Sequence, residues 1–482
     1  MILRLTLIFL FLQSKEIIMK YSVFVFCLLI AAYSIAQNNG QISETRLNEI
    51  RRSFDKDLGH NKALINAISA NDINSLAINR NVCGKAEHHF KYKVDVKGIT
   101  DQKSSGRCWM FAGLNALRPT VISEYELSSF EFSTNYLFFW DQFEKSNLFL
   151  ESIIKTSALP EDDRMVEWLF KNPIGDGGVW NSFDNLVEKY GVVPSRIMPE
   201  THHSENTGRM RQILATKLRQ QGTELRELAT KNAANKDMQK SKTEMLKEIY
   251  RILALCLGEP PTSFEYRFIN KKGEANNLET YTPQSFFKKL FPDYNTDDFV
   301  MLMNDPSREY YKLYEIELDR NVLEGKNWKY INLPNSEIKK YAIESIKDNE
   351  AMYASCDVGK FLSKEDGTLD VDNYDYESLF GITLDMDKTR RIKTFASGSS
   401  HAMLLIAVDT DKEDKPIMWQ FENSWGASHG HNGYLSFTDE WFDEYMFRVV
   451  VNKKYLETKT IKILEQEPII LPPWDPMFLM DE

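Results

Sequence analysis

The stretch from Asp101 to Ala112 constrains this chain most, because a polar, glycine-containing loop runs there into an apolar helical pattern that begins at a cysteine. Its sequence is DQKSSGRCWMFA, and the cysteine is Cys108. A thiol at a helix N-terminus lies beside unpaired backbone N–H groups and the positive end of the helix dipole. Both favour the thiolate, which is the nucleophilic form. Cys108 is therefore a candidate nucleophile.

Gln102 lies upstream of Cys108, where the loop can fold its amide back beside the sulfur. The Gln102 amide and the Cys108 backbone N–H would then be two donors for an oxyanion. The alternative is a small buried cysteine that only begins a helix, which is the commoner role for a single cysteine. The glutamine, glycine and tryptophan around Cys108 favour the nucleophile.

Two apolar segments far downstream supply the other candidate catalytic residues. Residues 399–408 and 417–426 predict buried strands, and the polar segment between them is typical of a turn. A hairpin symmetric about Lys412 places His401 directly opposite Asn423, with Cβ atoms about 5 Å apart. A register slip of one residue would turn the two side chains to opposite faces.

This pairing gives each side chain a chemical role. The side-chain oxygen of Asn423 fixes the tautomer of His401 and leaves the other ring nitrogen for Cys108. Trp425 follows two residues after Asn423 and is placed to cover the pair from water. The sequence thus predicts a cysteine nucleophile with an imidazole base.

Several motifs resemble those of the papain-like cysteine peptidases, most closely the bleomycin hydrolase and aminopeptidase C branch. The resemblance runs from about Asn48 to the C-terminus, and its motifs occur in the expected order. They are Gln102, SGRCW at 105–109, YLFFW at 136–140, CDVGK at 356–360, SHA at 400–402, ENSWG at 422–426, HGH at 429–431, DEWF at 439–442 and EPIILPPWDPM at 467–477.

The resemblance implies an α+β, papain-like fold of two domains, one helical and one resembling a β-barrel, with a helical insertion and a C-terminal arm. It divides the chain into consecutive segments. These are a leader at 1–36, an N-terminal arm and first strand at 37–100, a helical catalytic half at 101–200, the insertion at 201–262, the remainder with the β domain at 263–460, and the arm at 461–482.

The resemblance also implies a thiol-dependent aminopeptidase that removes N-terminal residues from peptides through an acyl-enzyme on Cys108. The catalytic residues are then Cys108, His401, Asn423 and Gln102. The substrate-binding residues are Gly177 and Gly178, which line the cleft in such enzymes, together with Trp425 and Glu482. For the two glycines, an ordinary turn before a helix is the alternative.

The C-terminal arm is the expected specificity device. In the family that this chain resembles, the arm lies in the cleft and its terminal carboxylate faces the free α-ammonium of the substrate. The family ends in small residues after the position of Met477, whereas this chain ends in FLMDE, with Glu482 last. Two alternatives therefore stay open: a papain-like endopeptidase, and a binding protein with a catalytically silent site.

The N-terminus carries two short apolar blocks, and the second ends in Ser34-Ile35-Ala36. This pattern predicts a signal peptide cleaved after Ala36, with Met19 as an alternative start. A membrane anchor is the alternative, but the block is shorter than the ~20 apolar residues that a span needs. We therefore expect an exported protein, periplasmic or secreted, with no stable membrane span after leader removal.

The number of cysteines and the net charge limit which other classes of protein fit this sequence. Of the 5 cysteines, one lies in the leader and one is the nucleophile, so the other three cannot all pair in disulfides. The net charge of −11 disfavours nucleic acid as a main partner.

Neither a metal nor a cofactor is expected. The histidine pairs 88–89, 202–203 and 429/431 lack a convincing set of additional ligands, and cysteine chemistry needs no metal. The resemblance further implies a homo-oligomer, with a hexamer as the form usual in the family.

The sequence also predicts where two helical regions end. The helix that begins at Cys108 is expected to stop before Pro119, because proline disrupts a helix interior. Residues 208–258 are expected to be helical, with apolar faces at Met210 to Leu218 and Met245 to Leu253, and to end at Gly258.

Overall fold

The computed structural model describes residues 40–85 and 87–478. The chain divides into two units, Met1–Leu76 and Ala77–Glu482. In the first unit the described residues form the helices Glu44–Arg52 and Gly59–Ala70, and a short helix, Ile73–Ala77, spans the boundary. The predicted leader at 1–36, the alternative start Met19 and the terminal Glu482 lie outside the described residues.

The first half of the second unit is mainly helical and packs around one apolar core. The long helix Thr134–Lys155 is central, since both insertion helices and the nucleophile helix contact it. The helices of this half are Cys108–Glu124, Thr134–Lys155, Arg164–Lys171, Trp180–Tyr190, His202–Glu205, Gly208–Thr230, Asn235–Leu257 and Pro283–Leu290.

The nucleophile helix runs through Pro119 to Glu124, so the expected stop before Pro119 is wrong. Val121 and Ile122, beyond the proline, are 0% and 3% exposed. Burying two such side chains contributes about 1.5–3 kcal/mol each, which is enough to offset the ~3 kcal/mol cost of a proline in a helix interior.

The predicted helical insertion is a pair of helices, Gly208–Thr230 and Asn235–Leu257, which pack on each other. Asn232 separates them in the left-handed conformation, with φ of 57°, a backbone state that asparagine tolerates and that commonly ends helices. Met210 and Leu253 are fully buried, whereas Ile213 is 49% exposed, so the buried stripe is narrower than the pattern indicates.

The strands of the chain are β1 Tyr92–Lys93, β2 Phe264–Tyr266, β3 Glu279–Tyr281, β4 Phe299–Met303, β5 Lys312–Ile316, β6 Lys329–Asn332, β7 Met352–Cys356, β8 Leu362–Ser363, β9 Thr368–Leu369, β10 His401–Thr410, β11 Pro416–Glu422, β12 Tyr434–Thr438, β13 Met446–Asn452 and β14 Ile469–Leu471. Twelve of these described strands form one mixed sheet in the order β14-β5-β6-β4-β13-β7-β10-β11-β12-β9-β8, with β1 also paired to β10. Strands β2 and β3 form a separate pair.

Five α-helices accompany this sheet and help to enclose a second apolar core, which is lined largely by β7, β10, β11 and β13. The helices are Asn335–Lys347, Tyr376–Phe380, Lys388–Lys393, Asp439–Tyr445 and Thr458–Ile461. Within the described part of the chain, no helix is both long enough and apolar enough to span a bilayer.

The β10–β11 hairpin differs in register from the prediction. Leu404 lies opposite Glu422, and Thr410 opposite Pro416, with bulges between. Symmetry about Lys412 would instead have paired Leu404 with Gln420. The turn is therefore centred later than expected. At the catalytic end of the hairpin the pairs Leu404–Glu422 and Leu405–Phe421 are offset by two residues, whereas the pairs between the bulges, such as Val408–Trp419, are offset by three. The even offset at the catalytic end keeps the side chains there on the predicted face, so His401 and Asn423 can still meet beyond the last paired residues, diagonally rather than directly opposite.

Candidate active site

The sulfur of Cys108 lies at the junction of the helical half and the sheet. Cys108 is the first residue of its helix and is 6% exposed. No side chain caps this helix N-terminus. The backbone N–H of Ala402, at the start of β10, donates to the sulfur at 3.5 Å. The sulfur therefore faces the residue next to His401.

His401 and Asn423 form the predicted hydrogen bond. The His401 Nε2 to Asn423 Oδ1 distance is 2.8 Å, and both residues are buried. The same Oδ1 accepts from the Ser424 backbone N–H at 2.8 Å, which identifies it as the amide oxygen. Because an oxygen only accepts here, Nε2 carries the proton and Nδ1 is left as the basic nitrogen.

Trp425 packs against the imidazole, with ring centroids 4.8 Å apart and planes inclined by 31°. Burial lowers the pKa of His401 to about 4, while the hydrogen bond to Asn423 acts in the opposite direction. The ring is therefore neutral near pH 7 and able to accept a proton. Transfer of the Cys108 proton to the ring would leave a thiolate beside it, and this negative charge would stabilise the protonated imidazole.

This assignment predicts how His401 titrates when no thiolate can form. In Cys108→Ala we expect the pKa of the His401 ring to lie well below 6.5, at about 4, because burial disfavours the charged ring. Histidine ¹⁵N chemical shifts followed from pH 3.5 to 8 measure this directly, and His401→Gln in the same background identifies the signal. Titration at or above 6.5 would contradict the burial argument.

Three hydrogen bonds hold Gln102 in the loop that precedes the nucleophile helix. Its side-chain Nε2 donates to the Ser105 carbonyl at 2.7 Å, and its Oε1 accepts from Ser424 Oγ at 2.7 Å. Its backbone N–H donates to the Ser424 carbonyl at 2.8 Å. An amide nitrogen has two hydrogens, so one donor of Gln102 remains beyond the bond to Ser105.

The Gly177–Gly178 segment lines the same cleft as Cys108 and His401. A Cβ on Gly178 would lie 2.6 Å from the ring of Trp109, so only glycine fits this close approach. Lys145 Nζ donates to the Gly177 carbonyl at 2.5 Å. Packing on Trp109 and this hydrogen bond thus hold the glycine segment at the wall of the cleft.

The chain is similar to known proteins over most of its length. The model of the peptidase C1-like family matches residues 41–478. The chain belongs to the peptidase C1-like family. Bleomycin hydrolase from Rattus norvegicus is 40% identical over 422 residues, covering 86% of this chain and 93% of the relative. Aminopeptidase C from Lactobacillus delbrueckii subsp. lactis is 39% identical over 393 residues, covering 80% and 87%.

A solved structure confirms the fold of this peptidase. The crystal structure of PepW from Lactobacillus rhamnosis HN001 superposes with a TM-score of 0.88 at 36% identity, covering 92% of this chain and 99% of that one. The fold is therefore papain-like and α+β, as expected. Together with relatives named aminopeptidase C and bleomycin hydrolase, this makes the chain a cysteine peptidase of the aminopeptidase type.

The C-terminal arm of the peptidase reaches the cleft. Strand β14 pairs in parallel with β5, and Arg448 Nη2 donates to the Met477 carbonyl at 2.5 Å. Phe478 lines the cleft together with Cys108 and lies near Trp168, with ring centroids 6.4 Å apart. Glu482 is four residues further on and lies outside the described residues.

The structure adds four charged residues to the cleft that the sequence analysis did not single out: Lys145, Asp319, Arg320 and Arg448. They lie on a helix, a loop and a strand that are far apart in sequence. No local pattern marks any of them, since isolated charges are usually solvated.

The remaining histidine and cysteine candidates do not enter the cleft of the peptidase. His88 stacks on His431 with centroids 3.9 Å apart. Among residues 40–85 and 87–478, no group of three or more side chains of the metal-binding types comes together. The cysteines of the same part of the chain, Cys83, Cys108, Cys256 and Cys356, form no disulfide.

Proposed function

We propose that this peptidase cleaves the first residue from peptides by nucleophilic attack of Cys108. The observation that supports this assignment is the meeting of the Cys108 sulfur with the start of β10, where His401 is hydrogen-bonded to Asn423. The helix N-terminus favours the thiolate, and the neutral His401 accepts the proton at Nδ1. Asn423 orients the ring and is a positioning residue.

The chemistry then proceeds in two steps. The sulfur bonds to the carbonyl carbon of the first peptide bond, and the oxyanion receives hydrogen bonds from the Cys108 backbone N–H and the remaining amide N–H of Gln102. When the C–N bond breaks, His401 returns its proton to the leaving amine. Water then attacks the thioester while His401 takes a water proton, and the first residue leaves as a free acid as that proton returns to sulfur.

Substrate contacts are assigned by position in the cleft. Gly177 and Gly178 present backbone groups at the cleft wall and are proposed to bind the substrate backbone. Trp425 shields the His401–Asn423 pair from water. We propose that the arm beyond Phe478 limits the length of chain that fits on the non-primed side, and that the Glu482 carboxylate faces the substrate ammonium.

The comparison of free and N-blocked substrates tests the aminopeptidase assignment. For a leucyl coumarin amide and its N-acetyl form, we expect the full-length peptidase to prefer the free amine by about 10- to 100-fold in kcat/KM. This ratio corresponds to the binding free energy of one ammonium–carboxylate contact. Deleting residues 479–482 should reduce the preference, because part of the barrier to longer occupants is removed.

The open alternatives give different results in the same assay. Equal cleavage of blocked and free substrates by the full-length peptidase would favour the papain-like endopeptidase. No cleavage of either, with no reaction of Cys108 towards a peptidyl epoxide, would favour a silent binding protein. The matched control is deletion of residue 482 alone, which moves the terminal carboxylate back by one residue and keeps the bulk of the arm.

Location and assembly are proposed from the sequence and the family. The apolar leader supports export to the periplasm or beyond, with a mature chain beginning at Gln37. N-terminal sequencing of the mature protein tests this.

The family supports a homo-oligomer, with a hexamer as the expected form. Light scattering at micromolar concentration tests this, and a monomer would contradict it.

A further inference from the structure

The cleft contains one carboxylate that the mechanism above does not use. Asp319 is the only acidic side chain among the described residues that line the cleft around Cys108 and His401. It is 5% exposed, and its Oδ2 is buried without a hydrogen-bond partner. A buried polar atom without a partner is costly, so it calls for an explanation.

A neighbouring buried acid shows what a structural role looks like in the same region. Asp141 accepts from Asn321 Nδ2 at 3.0 Å and from Gln142 Nε2 at 3.0 Å, and forms an ion pair with Lys145 at 2.8 Å. Asp141 is therefore fully occupied within the fold. Asp319 lines the cleft but has no comparable set of donors.

The loop that carries Asp319 is fixed in place. The Asp319 carbonyl accepts from Asn181 Nδ2 at 2.9 Å and from the Trp328 backbone N–H at 2.9 Å. Asn321 bonds on to the Ser182 carbonyl at 3.0 Å. Leu318 adopts a left-handed backbone with φ of 61°, which is strained for a bulky residue. The carboxylate is thus held at the cleft rather than free to turn to solvent.

Three cationic side chains line the cleft with Asp319, but none of them donates to its Oδ2. Lys145 and Arg448 favour the ionised form of Asp319, yet Lys145 donates to the Gly175 and Gly177 carbonyls and Arg448 donates to the Met477 carbonyl. The third cation is Arg320, the next residue along the chain. Burial raises the pKa of Asp319 to about 7. A cation bound against Oδ2 would supply the missing donors and favour the ionised form.

We propose that Asp319 binds the α-ammonium of the first residue of the substrate. This inference rests on the proposed function, because an aminopeptidase substrate brings such a group into the cleft. An ammonium has three N–H donors, so Asp319 and the arm can contact it together. Phe478 of the arm and Asp319 line the same cleft, so an arm that limits how far a substrate extends would leave the substrate N-terminus in the part of the cleft that both residues line.

The test compares Asp319→Asn with the wild-type full chain on leucyl coumarin amide and on its N-acetyl form. We expect kcat/KM for the free amine to fall about 10- to 100-fold, mainly through KM, while the N-acetyl substrate changes less than about twofold. The rate at which iodoacetamide alkylates Cys108 should be unchanged. Asp184→Asn is the matched control, since Asp184 is another buried acid whose pKa burial raises to about 7, but it bonds to Tyr294 outside the cleft.

Each outcome decides something. An unchanged ratio of free to blocked substrate in Asp319→Asn, with loss of that ratio on deleting residues 479–482, would assign the ammonium to the arm alone and overturn the proposal. A loss confined to lysyl and arginyl amides would place a side-chain cation at Asp319 and also overturn it. A wild-type chain that cleaves neither substrate refutes the proposed function itself, which is a separate result.

Folding provides the second readout. Removing an unpartnered carboxylate should leave the melting temperature unchanged or raise it, so Asp319→Asn and Asp319→Leu are both expected to melt no lower than wild type at pH 8. If both variants unfold at markedly lower temperature, the carboxylate is structural and the proposal fails. Recovery of the free-amine preference in Asp319→Glu would support a role for the charge.

Discussion

Replacing Cys108 with serine is expected to lower kcat/KM for a free aminoacyl coumarin amide by about 10⁴-fold or more. A serine hydroxyl is far less acidic than a thiol. The buried His401 is too weak a base to ionise it, because the variant has no thiolate to stabilise the protonated ring. Positioning and oxyanion donors remain in the variant, so a small residual rate is expected.

The same variant should fold normally. Cys108 is 6% exposed, and the exchange of sulfur for oxygen changes the volume little, so the free energy of unfolding should change by about 1 kcal/mol or less. Cys256→Ser is the matched control, because Cys256 lies in the helix Asn235–Leu257 and does not line the cleft. Turnover within tenfold of wild type in Cys108→Ser would contradict the assignment.

The second large effect concerns the buried ion pair that joins the nucleophile helix to β11. Arg118 Nη2 and Glu422 Oε1 are 2.6 Å apart, and both side chains are almost fully buried. Glu422 directly precedes Asn423, so the pair connects the two halves of the catalytic site. Arg118→Met should cost about 3–5 kcal/mol of unfolding free energy, because it leaves a buried carboxylate without its cation.

The loss in Arg118→Met should depend on pH. Burial already raises the pKa of Glu422 to about 7 while Arg118 opposes this, so removing Arg118 raises the pKa further. A carboxyl whose folded pKa lies above its unfolded value of about 4.3 contributes stability at low pH that is lost as pH rises through that window. Urea unfolding should therefore show a larger deficit at pH 8 than at pH 5.

Two further variants make this test specific. Arg118→Met combined with Glu422→Leu removes both charges and should lose less stability than Arg118→Met alone at pH 8. Glu167→Gln breaks the exposed pair with Lys171 and should cost no more than about 0.5 kcal/mol. Equal losses from the buried and the exposed pairs would show that burial does not govern the effect.

The residues around the nucleophile were predictable because their geometry is local. A helix that starts at Cys108 fixes the sulfur at the helix N-terminus, and Gln102 is close along the chain. His401 and Asn423 were predictable because a hairpin brings its two ends together. The exact register was not, since the polar turn sequence does not determine which residue lies at its centre.

Other features depend on tertiary contacts that no local pattern encodes. The helix continues past Pro119 because Val121 and Ile122 are buried by the rest of the fold. Asp319 is one acid in a polar loop sequence, and only the packing of a distant helix and strand places it in the cleft. The reach of the arm into the cleft was expected from the family rather than from the arm's own composition.

The most direct test of the central claim is active-site labelling with a peptidyl epoxide, followed by peptide mapping and activity measurement on the same sample. We expect one equivalent to attach to Cys108, with Cys83, Cys256 and Cys356 unmodified, and activity to fall in proportion to the labelled fraction. Full activity in a sample whose Cys108 is completely labelled would contradict the claim that this sulfur is the nucleophile.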